Sequence, residues 1–339
     1  MHRSILITIV LLCIGVASLW AATNPEATIS NKQLRIKIYL PDPVNGFYKG
    51  ARFDWSGIIN KVELGNHTFY GQWFSKIDPT VRDVSYKDDD ILVSVNTSAM
   101  GPAEEFQTPL GYDNAKEGDS FVKIGVGVLK KRDDTRYAFA NLYDIIDHGK
   151  WSVKQTANSI EFTQELSDRA TGYGYLYKKT IRLLDDKPEM VIEHSLKNTG
   201  TLPIKSLLYD HNFTLFDNLP TADISVTVPY EIKSTRGPDP GAAVITGNRF
   251  AYAKAVENTE RVTGGLQGFG SNVSDFDFKI ENHKAGTGIR IQGNRPLQNA
   301  SLWSIRSVVA VEPFIEIAAD PGREFTWQYT YTFYPLTTN

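Results

Sequence analysis

The 339-residue chain reads as an all-β protein, a large antiparallel β-sandwich. Three observations carry that expectation. Short runs alternate apolar with polar residues from end to end, turn-forming clusters separate them, and no segment keeps a helical period beyond two turns. Period two with β-branched and aromatic residues marks a half-buried strand. Many such strands, spaced about ten residues apart, suit a sandwich or barrel.

The first segment stands outside that pattern. MHRSILITIVLLCIGVASLWAA opens with His2 and Arg3, runs apolar from Ile5 to Trp20 and closes on Ala21 and Ala22. This is the layout of a secretory signal peptide, and its apolar run is shorter than the roughly 20 residues of a spanning helix. Residues 1–22 are therefore expected to be cleaved, leaving 23–339 as one sandwich domain, secreted or periplasmic. The single cysteine, Cys13, leaves with the peptide. The mature chain must then hold itself together by core burial, which its length permits.

Strands are predicted in order at residues 32–41 (KQLRIKIYLP), 91–97 (ILVSVNT), 159–166 (SIEFTQEL) and 176–184 (LYKKTIRLL). Others follow at 188–198 (PEMVIEHSLKN), 222–232 (ADISVTVPYEI), 276–282 (FDFKIEN) and 324–334 (EFTWQYTYTFY). LDDKPE, KNTGTLP, RGPDPG, KAGTG and DPGRE supply the turns. The stretch from Pro188 to Phe213 reads as two adjacent antiparallel strands joined at Asn-Thr-Gly. Short helices are placed near 72–74 and 111–117.

Several function classes drop out. Net charge is -3 and no Lys/Arg run exceeds three residues, which argues against a nucleic-acid partner. The chain has no G-x-S-x-G, P-loop or H-E-x-x-H motif, and no His/Asp cluster at metal-ligand spacing. VKIGVGVL lacks the third glycine of a dinucleotide site, and KDDD (87–90) reads as a solvated turn. No metal and no organic cofactor is expected, nor any membrane partner once the signal is removed.

The residues able to do chemistry are few. His211 interrupts the strand pattern of SLLYDHNFTLFD. Glu312 closes the apolar run SVVAVEP, where an unpaired carboxylate would be costly. Arg52 lies among aromatics in YKGARFDWSG, Glu104 and Glu105 follow one another in MGPAEEF, and Asp275 and Asp277 begin a strand in VSDFDFKI. Carboxylates, an arginine and an aromatic platform together are the ingredients of a sugar site. Each has a plainer reading. Arg52 can pair with Asp54, Glu104 and Glu105 can form a solvated turn, and His194, His67 and His148 read as core-edge or exposed.

The order of these pieces resembles a known family. LLYDHNFTLFD is similar to the N-H-x-Y/F-F-N-L stretch of the galactose mutarotase (aldose 1-epimerase) family. VAVEPFIEIAADPGREFTWQYTYTF resembles its closing segment, and SDFDFKIENHKAGTGIRIQ its D-x-x-F strand and hairpin. The resemblance runs from about Glu189 to Tyr334, with YKGARFDWSG matching the family's Arg-bearing strand. It implies a β-supersandwich of the galactose mutarotase type with a sugar cleft on one sheet. Glu312 would act as general base on the anomeric hydroxyl and His211 as general acid at the ring oxygen, its pKa held up by Asp210 or Glu312. Asp275, with Asp277 in reserve, and Arg52 would hold sugar hydroxyls. The family's additional His, in an H-G-G-like segment, is replaced here by MGPAEEF, which would put Glu105 in the cleft as a further substrate-binding group.

The expected function is an exported, cofactor-independent aldose 1-epimerase-like enzyme acting on a sugar or oligosaccharide. The alternatives are a non-catalytic carbohydrate-binding protein of the same fold, or a polysaccharide hydrolase or lyase that pairs Glu105 with Glu312.

Overall fold

The computed structural model describes residues 24–234, 236–238 and 241–337. The predicted signal segment, 1–22, lies outside them. Among the described residues the regular structure is strand apart from four short 3-10 turns, and the two main sheets are antiparallel throughout. A ten-stranded sheet has Lys150–Gln155 and Ala243–Thr246 at its edges. At its centre, Gly174–Leu183, Glu189–Asn198, Glu324–Pro335, Thr287–Gly293 and Asp277–Asn282 lie side by side. A five-stranded sheet runs in the order Val262–Gly265, Asn299–Ile305, Val308–Ala319, Ile204–Thr214 and Gly101–Phe106. Among the described residues no helix is long and apolar enough to cross a membrane.

Alternation decides which side chains meet. In the ten-stranded sheet Tyr177, Ile192, Leu196, Trp327, Tyr329 and Tyr331 point inward. They pack against Leu208, Val309, Val311, Ile315 and Ile317 of the five-stranded sheet in one apolar core. The other face of the five-stranded sheet is covered too. There Ala103, Tyr209, Phe213, Val308 and Phe314 pack with Phe53, Trp55, Trp73, Phe121 and Tyr143 in a second cluster. A strand buried on both faces reads as a continuous apolar run rather than an alternation. Gly101–Phe106 is buried at every position and Ile204–Thr214 at all but two.

This double cover corrects one expectation. Glu189–Asn198 and Ile204–Thr214 are not paired with each other. The first pairs with Gly174–Leu183 and Glu324–Pro335, the second with Gly101–Phe106 and Val308–Ala319. The Asn-Thr-Gly turn carries the chain from one sheet to the other. The Asn198 amide fixes that crossing by donating to the carbonyls of Leu202 and Ala319, both at 2.8 Å. Two strands with different cover requirements belong to different layers, and turn chemistry alone cannot report this.

Smaller differences have local causes. The predicted strand 91–97 stops at Val93, because Ser94 caps a short 3-10 turn, Val95–Thr97. Of 222–232 only Ile224–Thr227 is strand. A 3-10 turn forms at Tyr112–Asn114, and residues 72–74 are not helical. Glu104 and Glu105 lie in mid-strand, not in a turn. Gly125, in VKIGVGVL, makes the turn between Ser120–Lys123 and Gly127–Lys130 at φ +77°, and a Cβ there would stand 2.6 Å from Asp54. Only glycine tolerates both.

Candidate functional site

Cross-strand register brings the main candidates together. On the covered face of the five-stranded sheet, Ser301 is opposite Glu312 and Ala103 is opposite His211. The register runs unchanged from the Tyr209–Phe314 pair to the Asn212–Val311 pair and so sets His211 across from Glu312. These four make one row over four strands. In the neighbouring row Glu105 is opposite Tyr209, and Tyr209 opposite Phe314. Opposed residues on one face have Cβ atoms about 5 Å apart, so such pairs must interact.

They do. His211 Nε2 lies 3.1 Å from Glu312 Oε1, and Ser301 Oγ donates to Glu312 Oε2 at 2.6 Å. The imidazole stacks on Phe213 at 3.9 Å between centroids, with Phe53 and Trp303 at 5.9 and 5.6 Å. Burial among these rings pushes the His211 pKa well below its ordinary value, and the nearby Arg52 charge adds to the effect. Burial likewise raises the Glu312 pKa, against the Ser301 hydrogen bond and Arg52, which lower it. The expectation that a carboxylate holds the His211 pKa up is therefore corrected. Both shifts oppose charge separation, because desolvation penalises the charged form of each group.

Arg52 and Glu105 form the second half of the cluster. Arg52 does not pair with Asp54. Its Nε donates to Glu105 at 2.8 Å, and its Nη2 donates to the Tyr209 hydroxyl at 2.7 Å. The Tyr209 hydroxyl donates in turn to Glu105. Lys123 Nζ reaches the other Glu105 oxygen at 3.1 Å. Burial alone would raise the Glu105 pKa, but Lys123 and Arg52 outweigh it and the net shift is downward. Glu105 is thus a fixed anion held between two cations. Its neighbour Glu104 points the other way, into the space between the sheets. There it takes Lys179 Nζ at 2.7 Å and His194 Nε2 at 2.8 Å.

Asp275 is not brought to this cluster. It ends the turn Val273–Asp275, where its carboxylate accepts the Gly270 N–H at 2.6 Å. Asp277 is also spoken for, by Arg290 Nε at 2.8 Å across the hairpin. Both sit on the ten-stranded sheet side, and the hydrogen bonds and ion pairs of the described residues link neither to His211 or Glu312. The D-x-x-F pattern instead marks Phe276 and Phe278 entering the core.

Three residues of the cluster escaped sequence reasoning. Tyr209 had a usable signal, since it precedes His211 by two and so shares its face. Lys123, a lone cation in FVKIGV, was a weaker one. Ser301 had none, because only pairing between distant strands sets it against Glu312. His194 was read as core-edge or surface and is wholly buried against Trp327.

No protein-family model matches the sequence. Two curated sequences match part of it: the UDP-N-acetylmuramoylalanine–D-glutamate ligases of Thermoanaerobacter sp. strain X514 and Thermoanaerobacter pseudethanolicus. Each is 38% identical over 104 residues, covering 29% of this chain and 20% of the ligase. The chain thus spans about a fifth of the length of the curated relatives it matches. Likeness of fold extends much further. A galactose mutarotase related enzyme from Lactobacillus acidophilus superposes with a TM-score of 0.52 at 14% identity, over 93% of this chain and 99% of that one. The GalM/aldose epimerase homologue of C. elegans gives 0.51 at 13%, over 93% and 100%. A galactose mutarotase-like protein from Clostridium acetobutylicum gives 0.51 at 11%, over 91% and 95%. With its two large antiparallel sheets and this breadth of superposition, the chain has the galactose mutarotase-type β-supersandwich fold.

Proposed function

We propose that the protein interconverts the anomers of a sugar, with His211 and Glu312 as the proton-transferring pair. The observation that carries this reading is their approach to 3.1 Å across two neighbouring strands of one sheet face. Ring opening needs a proton taken from the anomeric hydroxyl and another given to the ring oxygen, so one base and one acid must serve the same cleft. A pair holding a single proton suffices, because closure of the ring reverses both transfers.

The pKa directions favour a particular form of that pair. The imidazole is pushed down and the Glu312 carboxyl up, so both directions favour Glu312 as the holder of a shared proton and His211 as the neutral acceptor. Glu312 then gives its proton to the ring oxygen while His211 takes the anomeric one. This exchanges the roles implied by the family resemblance. Arg52 is a donor toward sugar oxygens, and Glu105 sets the guanidinium in place. A polymer-cleaving reading would require Glu105 as an acid, yet Lys123 and Arg52 keep it ionised. Export through the 1–22 segment remains part of the proposal, and N-terminal sequencing of the protein from cell fractions tests it.

The test is exchange between α and β anomers across a panel of free sugars, followed by NMR saturation transfer. Catalysed exchange in the wild type that is lost in His211→Ala and Glu312→Gln supports the reading. Sugar binding in the same spectra without exchange would replace it with a binding protein of this fold.

A further inference from the structure

Resting on that reading, we propose that the cleft between the 78–85 segment and Phe139 is a subsite for a neutral saccharide unit, with Phe139 as platform and Asp83 as hydroxyl acceptor. The cleft measures about 670 Å³ and is lined by Asp78, Arg82, Asp83, Ser85 and Phe139, among others. That lies within the roughly 300–1,000 Å³ of small-molecule sites. It opens directly beside the cluster described above. The Phe139 ring covers the Arg52 guanidinium at 3.9 Å, and Asp83 Oδ1 is 4.0 Å from Arg52 Nη1.

Three features make this a built site. First, Arg52 has spent its Nε and Nη2 on Glu105 and Tyr209, and its Nη1 is turned toward Asp83 at a distance too long for a hydrogen bond. A sugar hydroxyl placed between them would accept from Nη1 and donate to Asp83. Second, the platform is anchored. The buried Asn96 amide donates to the carbonyls of Phe139 and Asn141, both at 2.8 Å, while its oxygen accepts the Ala51 N–H at 2.8 Å. One side chain thus ties the Phe139 loop to the Arg52 segment. Third, Asp83 is oriented, since Thr97 Oγ1 donates to it at 2.8 Å and Arg261 Nη1 approaches to 3.8 Å. Phe139 is 36% exposed, so a sugar C–H face has ring surface to pack on.

Charge selects the ligand class. The lining carries two carboxylates, Asp78 and Asp83, and one cation, Arg82, with Arg52 and Arg261 beside it. Asp78 is occupied by the Thr80 N–H and hydroxyl of its own turn. On the lining itself two carboxylates stand against a single cation, so the net charge there disfavours a uronate or a phosphate, and the mix of donors and acceptors matches neutral hydroxyls.

Methyl glycosides test this independently of catalysis, because they have no free anomeric hydroxyl and cannot be turned over. Saturation-transfer difference spectra would be recorded with the methyl α- and β-glycosides of glucose, galactose and mannose, and with methyl galacturonoside. Wild type should bind neutral glycosides in preference to the uronoside. Asp83→Asn should weaken binding by about tenfold, as expected for a lost hydrogen bond to a charged group. Phe139→Ala should lose most of the saturation and Phe139→Trp should keep it, with circular dichroism checking each fold. Undiminished binding in both Asp83→Asn and Phe139→Ala would overturn the subsite. So would a wild type that binds none of the six neutral glycosides, or one that prefers the uronoside. Absence of anomer exchange with free sugars would defeat the catalytic reading while leaving these spectra unchanged.

Discussion

Among the described residues, two histidine–glutamate pairs lie on opposite sides of one sheet. His194 and Glu104 lie between the two sheets, 2.8 Å apart, with side chains 0% and 1% exposed. The imidazole is parallel to Trp327 at 4.5 Å, and Glu104 also holds Lys179, which reaches Asp54 at 3.5 Å. His211 and Glu312 lie on the other face, and there Glu312 keeps 15% of its side chain exposed. The first pair is sealed inside a network, and a ligand cannot reach it. The second has few partners, depressed charge and an outlet. A histidine beside a carboxylate is therefore not in itself a catalytic signal. Access and the absence of a third ionic partner distinguish the pair proposed here for proton transfer from the sealed one.

The sharpest way to break this comparison is to remove the carboxylate from each pair. Glu104→Ala leaves Lys179 and His194 buried without their anion, and urea unfolding should show a loss of about 3–5 kcal/mol. An effect below about 1 kcal/mol would mean that the sealed network relaxes and is not structural.

At the open pair the same kind of change should strike activity instead. Glu312→Gln is expected to lower catalysed anomer exchange by roughly 10²–10⁴-fold while moving the unfolding midpoint little. Measuring both on one preparation separates the two roles. Full activity in this variant would remove Glu312 from the mechanism.

The sealed network should also carry its own pH signature. Glu104 is held down at about 2, its burial outweighed by His194 and Lys179. Asp210 is pushed up to about 7 by burial and by the nearby Glu104 charge. A depressed carboxylate contributes stability above its unfolded pKa that is lost as pH falls through the folded one. A raised carboxylate contributes fully below its unfolded pKa, and that contribution is lost as pH rises. The network's contribution should thus weaken from about pH 4.5 down toward 2, and from about pH 4 up through 7. In Asp210→Asn the second loss should vanish, so the stability difference from wild type should change steadily between those values. A difference that is flat with pH would show that Asp210 does not titrate there.

Ser301→Ala should give the smallest effect. Its hydroxyl hydrogen bond lowers the Glu312 pKa, so removing it should raise that pKa further. The alkaline limb of the exchange rate should move to higher pH, with less than about a tenfold change at the optimum. A shift to lower pH would contradict the assignment of the proton to Glu312.

Much of this was legible in the residues. Alternation placed strands 159–166, 176–184, 188–198 and 324–334 within a residue or two of their observed limits. His211 and Glu312 stood out because each puts an ionisable group where an apolar one was due. Asp275 misled for the opposite reason. It lies beside a genuine strand signal, and the residues that signal describes are its buried phenylalanine neighbours. Glu104 and Glu105 looked like one acidic turn, whereas a strand sends consecutive side chains to opposite faces and gives them unrelated partners.

The sequence by itself determined the class of the fold, the strand periods and the chemical inventory, because these depend on near neighbours along the chain. The tertiary structure decided which strands share a sheet, that Ser301, Glu312 and His211 stand in one row, and that one histidine is sealed while the other is not. Those facts rest on pairing between segments up to about a hundred residues apart and on burial by a second layer. Local alternation reports that a side chain is turned inward. It does not report what waits there.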